Sequence, residues 1–369
     1  MWGHYAYSTQ HENDMEGATY SSKECCDLLC KHCPIYVNTG RLQKTFTDLA
    51  IPGVGPSLTI TRTYQSQDWS TSLLGRGWML NFSKSLIVTR RERDGEKIIV
   101  VRRQTGERNF FREDPDGTLE PLSYYGMTYD LINNGDGTYA IANKDGSIQH
   151  LNADGKTIRI VDKNGNQLLF SYDAVDCLSR ITNASGNYVD FQLGPNGKIS
   201  SLSDNLGRTV AYGYDANGNL ISSTDPMGNT TQYIYDGEGR LIRLIDPLGN
   251  TVFSLTYDSF QPPRVRTFSE KGEIWTSTYY EGYTVKRDSA GNTWTYYFND
   301  VGIIEKVIDP LGNIIQRLHN RVTATSLDLE EDGNRNRTNY TYDADGNIAS
   351  KTDPLGNTWQ YTYIAGTDR

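Results

Sequence analysis

From Asp204 to Asn250 the polar and apolar positions repeat on two scales. Short runs such as Thr230-Thr-Gln-Tyr-Ile-Tyr235 alternate in the period of two that places side chains on opposite faces of a strand. Between these runs stand two turn signals, Asp-x-x-Gly-Asn and Tyr-Asp-x-x-Gly, and the whole pattern recurs every 21 residues at Asp204, Asp225 and Asp246. Tyr214 and Tyr235, each followed by Asp, keep the same interval. A fixed period of this length marks a repeat architecture, and each unit predicts one β-hairpin. Nowhere does the pattern predict a helix of ordinary length.

Extending the beat divides the chain. Residues 1–33 are polar and aperiodic and read as an N-terminal arm with a cysteine cluster. Residues 34–89 do not repeat. They include the alternating run Leu58-Thr-Ile-Thr-Arg-Thr-Tyr64 and a tight bend at Gly75-Arg-Gly-Trp78 expected to be locked by a buried indole. A non-repeating β cap is what an array needs, because an open end strand would offer its N–H and C=O groups to any neighbour. Residues 90–160 read as irregular hairpins around Asp94-Gly95, Asp116-Gly117, Asp136-Gly137, Asp145-Gly146 and Asp154-Gly155. From 161 to 369 the array is regular, with turns at Asp162, Asn183, Asp204, Asp225, Asp246, Asp288, Asp309, Glu330-Glu-Asp-Gly-Asn334 and Asp353. One slip falls at Gln261-Pro-Pro-Arg264.

Composition changes this picture little. With 37% hydrophobic residues, 35 Gly and 25 Tyr, the chain suits many short strands and tight turns. The formal net charge of −9 argues against a general nucleic-acid partner, which needs clustered Lys and Arg. The arginines at 90, 91, 93, 102, 103, 108 and 112 alternate with Glu92, Asp94, Glu96 and Glu107 and read as a solvated hairpin surface. No run approaches the ~20 apolar residues of a membrane span. Met1-Trp-Gly-His-Tyr5 has neither a basic start nor an apolar core, so no signal peptide is visible.

Candidate chemistry is sparse. Cys25, Cys26, Cys30 and Cys33 could be structural disulfides, free thiols or a zinc site built on the CxxC of Cys30–Cys33, with redox catalysis the remotest reading. No second CxxC exists. His4, His11, His32, His150 and His319 are scattered, and no cofactor is implied. In the turns, Asp can accept backbone N–H bonds and Gly can supply positive φ, which explains both residues without calcium. Tyr233, Tyr235, Trp294, Tyr296, Trp359 and Tyr361 fall at i, i+2 positions, so each pair faces one side of the sheet. They predict an aromatic ladder, read either as structural or as a carbohydrate-binding surface.

Tyr214-Asp-Ala-Asn-Gly-Asn-Leu220, Tyr235-Asp-Gly-Glu-Gly-Arg-Leu241 and Tyr342-Asp-Ala-Asp-Gly-Asn-Ile348, with the Asp-Pro-Leu-Gly-Asn turns, resemble the YD repeats of the Rhs family. Residues from Asn38-Thr-Gly40 to Gly75-Arg-Gly-Trp78 resemble the domain that often precedes those repeats in bacterial members. The resemblance implies an all-β fold, a hairpin ribbon spiralling into a partial hollow shell like a cocoon or solenoid. About ten repeats would give about twenty strands and a ribbon roughly 95 Å along its edge. It also implies a bacterial protein, secreted or on the cell surface, that works non-enzymatically in encapsulation or delivery within a polymorphic-toxin system. Its partner would be an encapsulated C-terminal toxin or a secretion-system component. The alternative is a cell-surface binding module recognising a glycan or a cell-surface receptor. By its own beat the chain stops within a unit at Tyr363–Arg369, as a fragment or short member would, and the family's closing core motif is not found. No catalytic residue is carried over.

Overall fold

In the regular repeats most hairpin turns begin on an aspartate that accepts their own N–H groups. At Asp225-Pro-Met-Gly-Asn229, Oδ1 accepts the N–H groups of Met227 (2.8 Å) and Asn229 (2.9 Å), while Oδ2 accepts the Asn229 amide (2.9 Å). The Gly228 N–H returns to the Asp225 carbonyl at 3.0 Å, with Gly228 at φ +86°. That left-handed residue is why glycine stands there. The turn at Asp236 is the same device with Arg240 replacing Asn: its Nε meets Oδ2 at 2.7 Å. A turn that supplies its own acceptors leaves few backbone donors to water.

The computed structural model describes residues 34–82, 86–91, 95–102, 108–122, 129–299, 302–319, 327–343 and 347–363. The four clustered cysteines lie outside them. All regular structure among the described residues is β-strand, in agreement with the all-β expectation. Twenty-three strands, from Tyr129–Asn133 to Thr358–Gln360, follow one another in a single antiparallel order. Before them come a three-stranded sheet (Gln43–Ile51, Leu58–Gln65, Trp78–Leu80) and a four-stranded one (Leu86–Arg90, Lys97–Arg102, Arg108–Glu113, Leu119–Pro121).

The tyrosine of the YD turn stitches repeat to repeat. The hydroxyls of Tyr172, Tyr214, Tyr235, Tyr342 and Tyr363 donate to the carbonyls of Thr157, Ile199, Leu220, Leu327 and Ile348, in each case 15 residues back. Burial raises the Tyr214 and Tyr235 phenols above their ordinary range, so both remain donors. Beside Tyr172, Tyr214, Tyr235 and Tyr342 the following strand carries a bulge. Gly213 faces Ser222 and Tyr214 faces Leu220, leaving Ile221 as the extra residue.

The described chain forms two compact units. In the first, which contains Gln43–Ser123 and Met127–Ser254, the four-stranded sheet packs Leu86, Ile99, Val101 and Phe111 against Tyr129, Leu131, Tyr139 and Ile141. The arginine-rich hairpins of that sheet are less free than the sequence suggests. Arg102 and Arg108 reach the buried Asp68, and Arg91 pairs with Glu96. In the second unit, residues 34–42 lay Val37 against Tyr296, Ile304 and Val307. There the Thr284 hydroxyl donates to the Val37 carbonyl at 2.7 Å.

The turn carboxylates predict a pH response. Hydrogen bonds from the Asn side chain, then from backbone N–H groups, hold Asp225, Asp246, Asp309 and Asp353 below their ordinary range. A lowered pKa means that their contribution is complete above the unfolded value and is lost as pH falls through the folded one. Thermal unfolding should therefore be flat from neutral pH down to about pH 4 and decline below it. A variant with Asp225→Asn and Asp246→Asn should be less stable at pH 7 and show a shallower acid decline. An unchanged pH profile would refute the turn assignment.

Candidate functional site

In Leu58-Thr-Ile-Thr-Arg-Thr-Tyr64 the alternation places Arg62 in phase with Leu58, Ile60 and Tyr64, on the apolar face. The structure buries it there: the side chains of Arg62 and Asp48 are 3% and 5% exposed. Arg62 Nε bonds both Asp48 oxygens at 2.9 Å. Its Nη2 donates to Tyr233 Oη at 2.7 Å and Ser223 Oγ at 2.9 Å, and the Tyr212 hydroxyl donates to Asp48 at 2.7 Å. The guanidinium lies over the rings of Phe46, Trp78 and Tyr233, 4.7, 5.0 and 5.2 Å from their centroids. Burial alone would lower its pKa, but Tyr233, Asp48 and Tyr212 more than offset that and hold it raised. It is a permanent cation.

Around this centre the cap closes on the repeats. Trp78, fully buried as the bend at Gly75–Trp78 implied, stands 5.1 Å from Tyr233 and donates its indole N–H to Tyr235 Oη at 2.8 Å. The Leu241 N–H donates to Tyr64 Oη at 2.9 Å, and the Ile199 N–H to the Leu73 carbonyl at 2.9 Å. Gly75, at φ +101°, comes so close to the sheet that a Cβ there would lie 2.7 Å from the Gly218 carbonyl oxygen. Only glycine fits.

Beside the junction runs an open groove of about 580 Å³ between the turns at 215–219 and 236–239, with Thr71, Arg76 and Lys198 on its walls. Arg76 stacks over Trp69 at 3.9 Å and donates to the Glu238 carbonyl at 2.9 Å. The groove's two turn aspartates, Asp215 and Asp236, already bond Asn219 and Arg240.

The aromatic ladder needs correction. Tyr233 is 2% exposed and Tyr296 3%, while Trp359 (48%) and Tyr361 (43%) face solvent, so the six rings do not share one open surface. Each i, i+2 pair does point one way, but the aromatic face is the apolar phase of the strands. In the first unit the cap covers it at Tyr233 and Tyr235. In the second, Val37 packs on Tyr296, and Trp294 leans on Trp275 with centroids 5.0 Å apart. A stacked aromatic row does occur in the second unit, exposed at Tyr280 and half-buried at Tyr283 and Tyr297, from residues the periodicity did not single out. Tyr280 stacks on Tyr283 (4.6 Å), Tyr283 on Tyr297 (5.5 Å), and Lys306 caps Tyr297 at 3.9 Å. No cluster of three His, Cys, Asp or Glu suited to a metal occurs among the described residues. His150 lies in a strand, its pKa lowered by burial and by Arg159.

Comparison with known proteins matches residues 195–222, 214–251 and 332–366 to the RHS Repeat model and residues 32–111 to a domain of unknown function (DUF6531). Over 136 residues the chain is 32% identical to the tRNA3(Ser)-specific nuclease WapA of Bacillus spizizenii and to the tRNA nuclease WapA of Bacillus subtilis. Each match takes in 37% of this chain and 5% of the relative's length. Among solved structures, the complexes titled TcdB2-TccC3-TEV and TcdB2-TccC3 without hypervariable C-terminal region are similar, each at 11% identity. Their TM-scores are 0.38 and 0.31, over 86% and 82% of this chain and 22% and 23% of theirs.

Arg62→Met should lower the unfolding free energy in urea by about 3–5 kcal/mol, because it leaves Asp48 buried without its cation. Adding Asp48→Leu should recover part of that loss. Strict additivity of the two substitutions would show that the pair does not act as a unit.

Proposed function

Because this chain is a YD-repeat protein of the Rhs family, carrying RHS repeats behind a DUF6531 segment, we propose that it is a non-enzymatic scaffold in a toxin-associated Rhs-type system. One observation carries this reading. The residues that recur most faithfully, the turn Asp and Asn and the YD tyrosine, direct their polar atoms into their own hairpin or the one before. A repeat whose polar groups are occupied in this way builds a wall, and catalysis would need groups left free for a substrate.

On this reading the ribbon shields or presents a toxin module, outside the cell or on its surface. The nuclease activities in the names of the Bacillus relatives belong to proteins of which the match spans 5%, and we assign none of that chemistry to this chain. A second reading, recognition of a glycan or receptor, draws support from the stacked row at Tyr280, Tyr283 and Tyr297, where Tyr280 is 52% exposed. Aromatic faces beside a cation suit sugar rings.

The purified chain should leave bulk tRNA uncut, and a toxin domain fused behind residue 369 should be digested by trypsin more slowly than the same domain alone. Cleavage of tRNA that co-elutes with the chain, or equal digestion of the two forms, would overturn the scaffold reading. For the second reading, binding on a glycan array should be lost on Tyr280→Ser; a signal that survives this change, or none at all, counts against it.

A further inference from the structure

Two phenols stand face to face at the surface of the second unit. Strands Glu273–Tyr280 and Tyr283–Asp288 are joined by Glu281 and Gly282, with Gly282 at φ +76°. That turn sets Tyr280 directly opposite Tyr283 in the register. Directly opposed side chains share one face of a sheet. Here the two rings stack, with centroids 4.6 Å apart and planes 10° from parallel. Tyr280 is exposed and Tyr283 half-buried, so the pair is reached from solvent.

Their hydroxyls set them apart from the tyrosines that build the ribbon. Those of Tyr172, Tyr214, Tyr235 and Tyr342 are spent on carbonyls. So is that of Tyr279, next to Tyr280 in the chain, which donates to the Val265 carbonyl at 2.6 Å. Tyr279 also points to the opposite face, as consecutive strand residues do. Among the described residues no hydrogen bond holds the hydroxyl of Tyr280 or Tyr283. The third ring of the row differs again. Tyr297 lies 5.5 Å from Tyr283 with its plane turned by 27°, and the Lys306 ammonium sits 3.9 Å over it. A positive charge beside a ring makes removal of an electron from that ring more costly. The row therefore yields electrons more readily at Tyr280 and Tyr283.

We propose that Tyr280 and Tyr283 form an oxidative modification site, joined as dityrosine by hydrogen peroxide acting through a haem peroxidase. Each phenol gives up one electron and its hydroxyl proton and becomes a neutral tyrosyl radical. The two radicals pair by forming a carbon–carbon bond between ring carbons ortho to the oxygens. The hydrogens on those carbons then move as protons to the oxygens, which restores both aromatic rings. The peroxide takes up the two electrons and two protons and leaves as two waters. Radicals held side by side couple without a diffusional encounter, so the bond within the hairpin outruns coupling between copies. A bond across so short a turn closes too small a loop to add much stability. The pair serves instead as a surface sink for oxidising equivalents. The inference depends neither on the scaffold reading nor on whether the row meets a sugar.

Treatment of the dilute full chain with a haem peroxidase and hydrogen peroxide tests it. The violet fluorescence of dityrosine should develop, and should be about fivefold weaker in Tyr280→Phe and in Tyr283→Phe, which keep the stacked ring without its phenol. Tyr297→Phe should leave it unchanged. A glutamate-specific protease that cuts after Glu281 should separate the two halves of the hairpin in the untreated chain. In the treated chain it should leave them joined, with the loss of two hydrogens. That cleavage needs no variant, so it decides the matter even where a Phe variant fails to fold. Equal fluorescence in the parent and in Tyr283→Phe, halves that separate after treatment, or a cross-link found only between copies would overturn the inference. So would a cross-link that joins Tyr279 or Tyr297 in place of Tyr280.

Discussion

Everything in this fold rests on an aspartate accepting the N–H groups of the turn it begins. A ribbon of short strands is mostly ends, and each end exposes donors that a longer strand would bond within the sheet. The Asp-x-x-Gly turn answers that locally, with Oδ1 on two backbone donors and Oδ2 on the side chain four residues on, so a turn of this kind closes without tertiary contact. Arginine can take the asparagine's place because only a donor to Oδ2 is needed.

Cohesion between turns is a separate matter, and two devices supply it. The YD tyrosine ties each hairpin to its predecessor through a carbonyl 15 residues back. Where the cap meets the sheet, the tie is a buried ion pair. Arg62 and Asp48 are costly to desolvate, and the hydroxyls of Ser223, Tyr233 and Tyr212 offset part of that cost, while Arg62 Nη1 is buried without a hydrogen-bond partner. Such a pair adds orientation more than stability. A purely apolar contact among Phe46, Trp78 and Tyr233 could slide along the strands, whereas a guanidinium bonded to Ser223 and Tyr233 fixes the position of the cap.

The sequence made the strands and turns legible because their signals are local: a period of two, a period of 21, and residues whose own side chains close the turn. The bend locked by Trp78 was legible for the same reason. What lay beyond reach was which face of the sheet is covered, since that depends on residues 34–80 folding back over repeats far along the chain. Hence the aromatic positions were found but their surroundings were not, and Tyr233 became the floor of a junction instead of a ligand surface. One clue was present in Leu58–Tyr64. A charged residue in the apolar phase of a strand has to find a buried partner, and Arg62 finds Asp48, Tyr212 and Tyr233.

Because every strand of the long sheet pairs with its immediate neighbours in the chain, most contacts span about one hairpin, and the contact order of the array is low. Such a ribbon can grow in the direction of synthesis, each hairpin adding to a template that is already complete. The cap obeys a different clock. Arg62 emerges early, but Tyr233 follows 171 residues later, so the buried guanidinium stays in water for as long as the intervening repeats take to be made. Its charge is met early by Asp48, 14 residues before it, whereas the hydroxyls of Ser223 and Tyr233 that complete its burial arrive only with the sheet.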